Sequence, residues 1–87
     1  MTQKEITIAK KKAKECLELL NIKVPMTKMN ILFFFIDTAC FLITFCDVRT
    51  DDIIQCQYMN NRYTVYKHIK NTGKTLVFFK KGENNND

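Results

Sequence analysis

The chain has 87 residues, enough for one small domain and too few for a two-domain enzyme. Hydrophobic residues make up 46% and charged residues 26%, with two glycines and one proline, which excludes collagen-like and fully disordered chains. The net charge of +5 permits a polyanionic or acidic partner without demanding one.

Residues 2 to 22 read as one amphipathic helix. Thr2 and Glu5 stand at capping-box spacing, where hydroxyl and carboxylate satisfy each other's free backbone donors. Ile6, Ala9, Ala13, Cys16, Leu17 and Leu20 then fall within an arc of about 100° and form the core stripe. The rest of the wheel interleaves Lys4, Lys10, Lys11, Lys12 and Lys14 with Glu5, Glu15 and Glu18, the pattern of a solvated face. Ile8 and Leu19 lie together on the far side as a small patch, and Asn21 and Pro25 end the element.

The most apolar stretch follows, from Met29 to Cys46. Its length approaches that of a membrane span, but Asp37 sits at its centre, where a carboxylate costs about 2.5 to 3.5 kcal/mol. Basic residues on both sides also deny it a clean orientation, so a membrane span is not expected. Phenylalanine, isoleucine and threonine favour two strands, 31 to 36 and 39 to 46, broken at Asp37 and Thr38. Both faces of both strands are apolar, and one helix covers only one face of a sheet. Either residues 26 to 36 form a second helix, starting near Pro25, or a second subunit supplies the missing cover. The second alternative makes a homodimer the expected oligomeric state.

Beyond a charged turn at 49 to 52 the chain alternates more cleanly. Residues 53 to 59 and 62 to 70 read as a hairpin around Asn60 and Asn61, residues that tolerate positive φ. Pairing across that loop sets Tyr58 opposite Tyr63, Cys56 opposite Val65 and Ile54 opposite Lys67 on one face. Gln57 with Thr64, Gln55 with Tyr66 and Ile53 with His68 share the other, and a slip of one residue destroys the match. A three-residue loop, Asn71-Thr72-Gly73, then leads into a last strand from Lys74 to Lys81. In that register Val65 meets Phe79 on the core side, while Tyr66 meets Phe78 and His68 meets Leu76 outside. The expected whole is a single α+β domain over residues 1 to 82, with the N-terminal helix packed on an antiparallel sheet of four or five strands. Residues 83 to 87 are expected to be a frayed polar tail.

No motif for chemistry stands out. Cys16, Cys40, Cys46 and Cys56 form no C-x-x-C pair and His68 is the only histidine, so neither a metal site nor a cofactor is expected. The start lacks a secretory pattern, which points to a reducing, cytoplasmic setting and free thiols. Gly73-Lys74-Thr75 resembles the end of a phosphate loop, but His68 stands where that motif needs glycine and a strand follows where it needs a helix.

Charge is segregated along the chain. Between Asp52 and Glu83 there is no acid, and Arg62, Lys67, Lys70, Lys74, Lys80 and Lys81 lie in that interval. The outer face of the two hairpins is expected to carry Gln55, Arg62, Tyr66, His68, Lys70, Lys74, Phe78 and Lys80. Cations for phosphates, aromatic planes for stacking and amides for base edges suit a sheet that binds nucleic acid, and the same set suits a host protein. Lysines on exposed strands also serve simply to prevent edge-to-edge aggregation. Lysine outnumbers arginine twelve to two and asparagine occurs eight times, a bias of AT-rich coding that suggests a viral or mobile-element accessory protein. The expected function is therefore a small basic, non-enzymatic binding module. The alternative is a metal-independent ribonuclease with His68 as general base beside Arg62, Tyr66 and Lys70.

Overall fold

The computed structural model describes residues 2 to 82; the expected tail at 83 to 87 lies outside the described residues. One helix, α1 (Gln3–Leu19), is followed by a single 3-10 turn at Met26–Lys28 and five strands. These are β1 (Met29–Ile36), β2 (Phe41–Asp47), β3 (Ile53–Met59), β4 (Arg62–His68) and β5 (Thr75–Lys81). They form one antiparallel meander in the order β1-β2-β3-β4-β5, so the domain is α+β with every strand beside its chain neighbour.

The helix begins and ends on local chemistry. Thr2 Oγ1 accepts the Glu5 N–H at 3.2 Å while Glu5 Oε1 accepts the Thr2 N–H at 3.0 Å, and these bonds hold the exposed Glu5 carboxyl below its ordinary range. At the other end Asn21 takes a left-handed φ of 57°. The Asn21 N–H then bonds Glu18 O at 3.0 Å and the Ile22 N–H bonds Leu17 O at 2.9 Å, a Schellman closure that ends the helix earlier than residue 22. Ala9, Ala13, Cys16 and Leu17 of the expected stripe are buried, with Ile6 and Leu20 half-buried beside them.

Residues 26 to 36 are not a second helix. Only Met26–Lys28 turn, and Met29–Ile36 join the sheet as an edge strand, because a run of phenylalanine and isoleucine packs better on a pleated surface than on a helix. The core therefore has one helical layer. Phe45, Ile43, Ile54, Cys56 and Val65 from the central strands are fully buried under α1, and Met29 and Phe41 close the two ends. Phe41, Tyr58 and Tyr63 stack together on this side, with ring centroids 4.5 to 6.5 Å apart.

Two departures from regular pairing decide which residues face outward. In β1 the register shifts between Ile31 and Phe33, leaving Leu32 as an extra residue. Ile31 pairs with buried Phe45, but Phe33 pairs with Thr44 and Phe35 with Leu42, so Phe33 and Phe35 turn away from α1. The β4–β5 connection is the second. β3 and β4 pair in the expected register around Asn60 and Asn61, whose φ angles are 52° and 60°. β5 is displaced by one residue: Val65 meets Phe78, Tyr66 meets Val77 and His68 meets Thr75.

The cause is Asp52. This buried residue accepts the Lys70 N–H on Oδ1 at 3.0 Å and draws Lys70 out of the ladder. The loop then closes one step earlier, through Ile69 N–H to Lys74 O at 2.8 Å, with Gly73 at a φ of 69°. Phe78 consequently packs against the core and Phe79 lies outside, the reverse of the expected arrangement.

At the β2–β3 turn, Arg49 grips Asp47 through Nε–Oδ1 at 3.1 Å and Nη2–Oδ2 at 2.8 Å, while its own N–H bonds Oδ1 at 2.9 Å. The Arg49 hydrogen bonds hold the Asp47 carboxyl below the usual aspartate range. A depressed folded pKa stabilises the fold fully above the unfolded value of about 3.9, and that contribution is lost as pH falls through the folded pKa. Arg49→Ala is accordingly expected to lower stability at neutral pH and to flatten its decline below about pH 4. Urea midpoints measured between neutral and strongly acidic pH check this, and an unchanged acid limb would remove the pair from the account.

Candidate binding face

Partners across an antiparallel ladder share a face, so the register assembles the side of the sheet that α1 leaves uncovered. One row runs Phe33, Thr44, Gln55, Tyr66, Val77; the next runs Phe35, Leu42, Gln57, Thr64, Phe79. Met59, Arg62 and Lys81 continue at one end, and Cys46, Ile53, His68 and Thr75 at the other. Both middle rows are apolar at their outer strands and carry an amide at the centre. Leu32, Phe33, Phe35, Met59, Val77 and Phe79 are each between 48% and 64% exposed. At on the order of 100 Å² per large side chain, Leu32, Phe33 and Phe35 make an apolar margin of about 300 Å² on β1, and Val77 and Phe79 a smaller one on β5.

Four of the eight sequence-derived site residues meet on this face: Gln55, Arg62, Tyr66 and His68. The displaced register sends Phe78 and Lys80 to the helix side, opposite Val65 and Tyr63. Lys70 and Lys74 belong to the connecting loop, and Lys70 Nζ reaches Asp51 Oδ2 at 3.2 Å. Lys67 pairs with buried Ile54 and also points to the helix side. Of the six cations between Asp52 and Glu83, only Arg62 and Lys81 occupy the open face, both at one corner. Phe33, Phe35, Val77 and Phe79 are large apolar members that sequence reasoning did not place there. The unresolved apolar excess of residues 31 to 46 was the available signal for the first two.

His68 is held on both sides. Its Nε2 lies 2.8 Å from Gln55 Oε1 and its Nδ1 lies 2.9 Å from Thr75 Oγ1. Both ring nitrogens therefore have a hydrogen-bond neighbour on the sheet, in the tautomer where Nε2 donates to the amide oxygen and Nδ1 accepts from the hydroxyl. The ring stacks on Tyr66 at an interplanar angle of 9°, and the Arg62 guanidinium lies 5.3 Å from the centre of the Phe79 ring.

Among the described residues no three histidine, cysteine or acidic side chains gather as a metal set. No described helix is long and apolar enough to cross a membrane. All four cysteines are free; Cys16 and Cys56 lie in the core, where the Cys16 sulfur and burial push the Cys56 thiol far above its ordinary range. No protein-family model, curated protein or solved structure matches this chain.

The composition of this face depends on the Asp52 contact. Asp52→Ala is expected to cost about 1 to 3 kcal/mol, the range for a lost hydrogen bond to a charged acceptor. It should also speed amide exchange through residues 75 to 81 by freeing the alternative register. Denaturant melts and hydrogen exchange read both effects; unchanged exchange in β5 would show that another contact sets the register.

Proposed function

We propose that this chain is a non-enzymatic binding module that docks a protein on the open face of its sheet. The observation that carries this reading is the pair of rows ending in Phe33, Phe35, Val77 and Phe79, exposed and centred on Gln55 and Gln57. Large apolar side chains interrupted by a few uncharged polar groups, with cations only at a rim, are the composition of a protein interface. A nucleic-acid surface needs cations spread along a phosphate track, and two at one corner do not supply one. A ribonuclease needs a free base, and both His68 nitrogens are engaged. The source expected from composition, a virus or mobile element, agrees with a small accessory module of this kind.

A tagged chain is expected to recover a protein, a second copy of itself included, in a complex that survives nuclease. Phe35→Asp should abolish that complex, whereas Lys11→Glu on the exposed side of α1 should leave it intact. Binding to a single-stranded oligonucleotide should be weak, with a log–log salt slope no steeper than about −2, as two phosphate contacts allow. Tight oligonucleotide binding with a slope of about −4 or steeper would instead establish nucleic acid as the target.

A further inference from the structure

Two features of the open face restrict what fits it. The first is its extent. Five strands about 4.8 Å apart and about seven residues long, rising about 3.4 Å per residue, span about 24 by 24 Å, or about 580 Å² in projection, above the roughly 500 Å² per partner that a specific interface needs. The fold is a thin slab, 17 Å across its shortest dimension, with a single helical layer on one side of the sheet.

The second is its internal symmetry. At β1, β3 and β5 each middle row reads apolar, amide, apolar, so these positions complement their own reverse, while on β2 and β4 Thr44 would face Tyr66 and Leu42 would face Thr64. A two-fold operation requires this of any surface that meets itself, since whatever lies on one side of the axis must suit what lies on the other. Glutamine suits the axis because its amide both donates and accepts. Gln57 has its whole amide available, and Gln55 keeps its nitrogen after His68 takes its oxygen.

We propose, on the reading given above, that the protein docked on this face is a second copy of the same chain, related by a two-fold axis running along β3. Two sheets packed face to face lie about 10 Å apart with their strands about 30° from parallel. That axis brings β1 of one copy over β5 of the other. Leu32, Phe33 and Phe35 then cover Val77 and Phe79 of the second copy, and the amides of Gln55 and Gln57 meet near the centre.

Charge agrees with this direction. The hairpin carrying Asp37, whose N–H bonds Cys40 O at 2.9 Å, ends at the same end of the sheet as Arg62 and Lys81, on the opposite edge. The axis along β3 therefore carries the acidic corner of each copy to the basic corner of the other. Each Arg62 and Lys81 is at the same time kept from its own counterpart.

The test is sedimentation at tens of micromolar, with circular dichroism confirming that each variant folds. The wild-type chain is expected at twice its 10.3 kDa mass. Phe35→Asp and Phe79→Lys should each weaken self-association on the order of thirtyfold per contact, the loss of a well-packed aromatic anchor, and each contact occurs twice. Mixing the two monomeric variants should restore a dimer, because one contact becomes an Asp–Lys pair and the other remains Phe on Phe. A mixture that stays monomeric overturns the axis along β3. A monomeric wild-type chain overturns self-pairing but leaves the face as a docking site for another protein. A dimer that persists through both single substitutions overturns self-pairing through this face and leaves the face open to another protein.

Discussion

One helix has to serve a five-stranded sheet, and the rest of the structure follows from that mismatch. At about 1.5 Å per residue a seventeen-residue helix is roughly 26 Å long, enough to lie across the strands on one side and cover nothing on the other. Its contact positions are small, Ala9, Ala13 and Cys16, so the backbone approaches closely and Phe45, Ile43, Ile54 and Val65 fill the layer between. With Leu17, Met29, Phe41 and Cys56 these residues make the core, against which Ile31, Phe34, Ile36 and Phe78 pack. Phe33, Phe35, Leu42, Val77 and Phe79 have no place in it and stand on the opposite face.

Which apolar side chains stand there is settled by two small irregularities rather than by overall hydrophobicity. The extra residue at Leu32 reverses the alternation of β1 after Ile31, turning Phe33 and Phe35 outward while Phe34 and Ile36 pack inward. The Asp52 bond to Lys70 reverses β5, exchanging Phe78 for Phe79. Both act at the edges of the sheet, and the central strands keep the register their alternation dictates. A polar centre flanked by two aromatic margins is thus the joint product of a bulge and a loop closure far apart in sequence.

This division explains what was legible in the sequence. The capping box, the helix stripe and the β3–β4 register each rest on contacts within one element or across one two-residue turn, and all three could be read directly. The β5 register rests on an aspartate eighteen positions before the N–H it accepts, and no local pattern around Gly73 distinguishes the loop that forms from the one expected. In β1 the alternation was uninformative because both phases are apolar. The charge pattern misled for a related reason. Six cations contiguous along the chain look like one basic surface, but a pleated strand deals successive residues to opposite faces, so Arg62 and Lys81 part company with Lys67 and Lys80.

The polar groups left on the open face then acquire a meaning that composition alone does not give them. An apolar sheet face without them would accept many partners in many registers, and its exposed strands would invite aggregation. Gln55, His68 and Thr75 form a continuous hydrogen-bonded line across three strands, which holds the Gln55 side chain in one orientation and stacks His68 on Tyr66. A partner that buries this line must leave its hydrogen bonds intact or replace them, and misplaced polar atoms cost about 1 to 3 kcal/mol each. The aromatic margins therefore supply the drive for docking, and the amide column between them restricts which surfaces, and which registers, can make use of it.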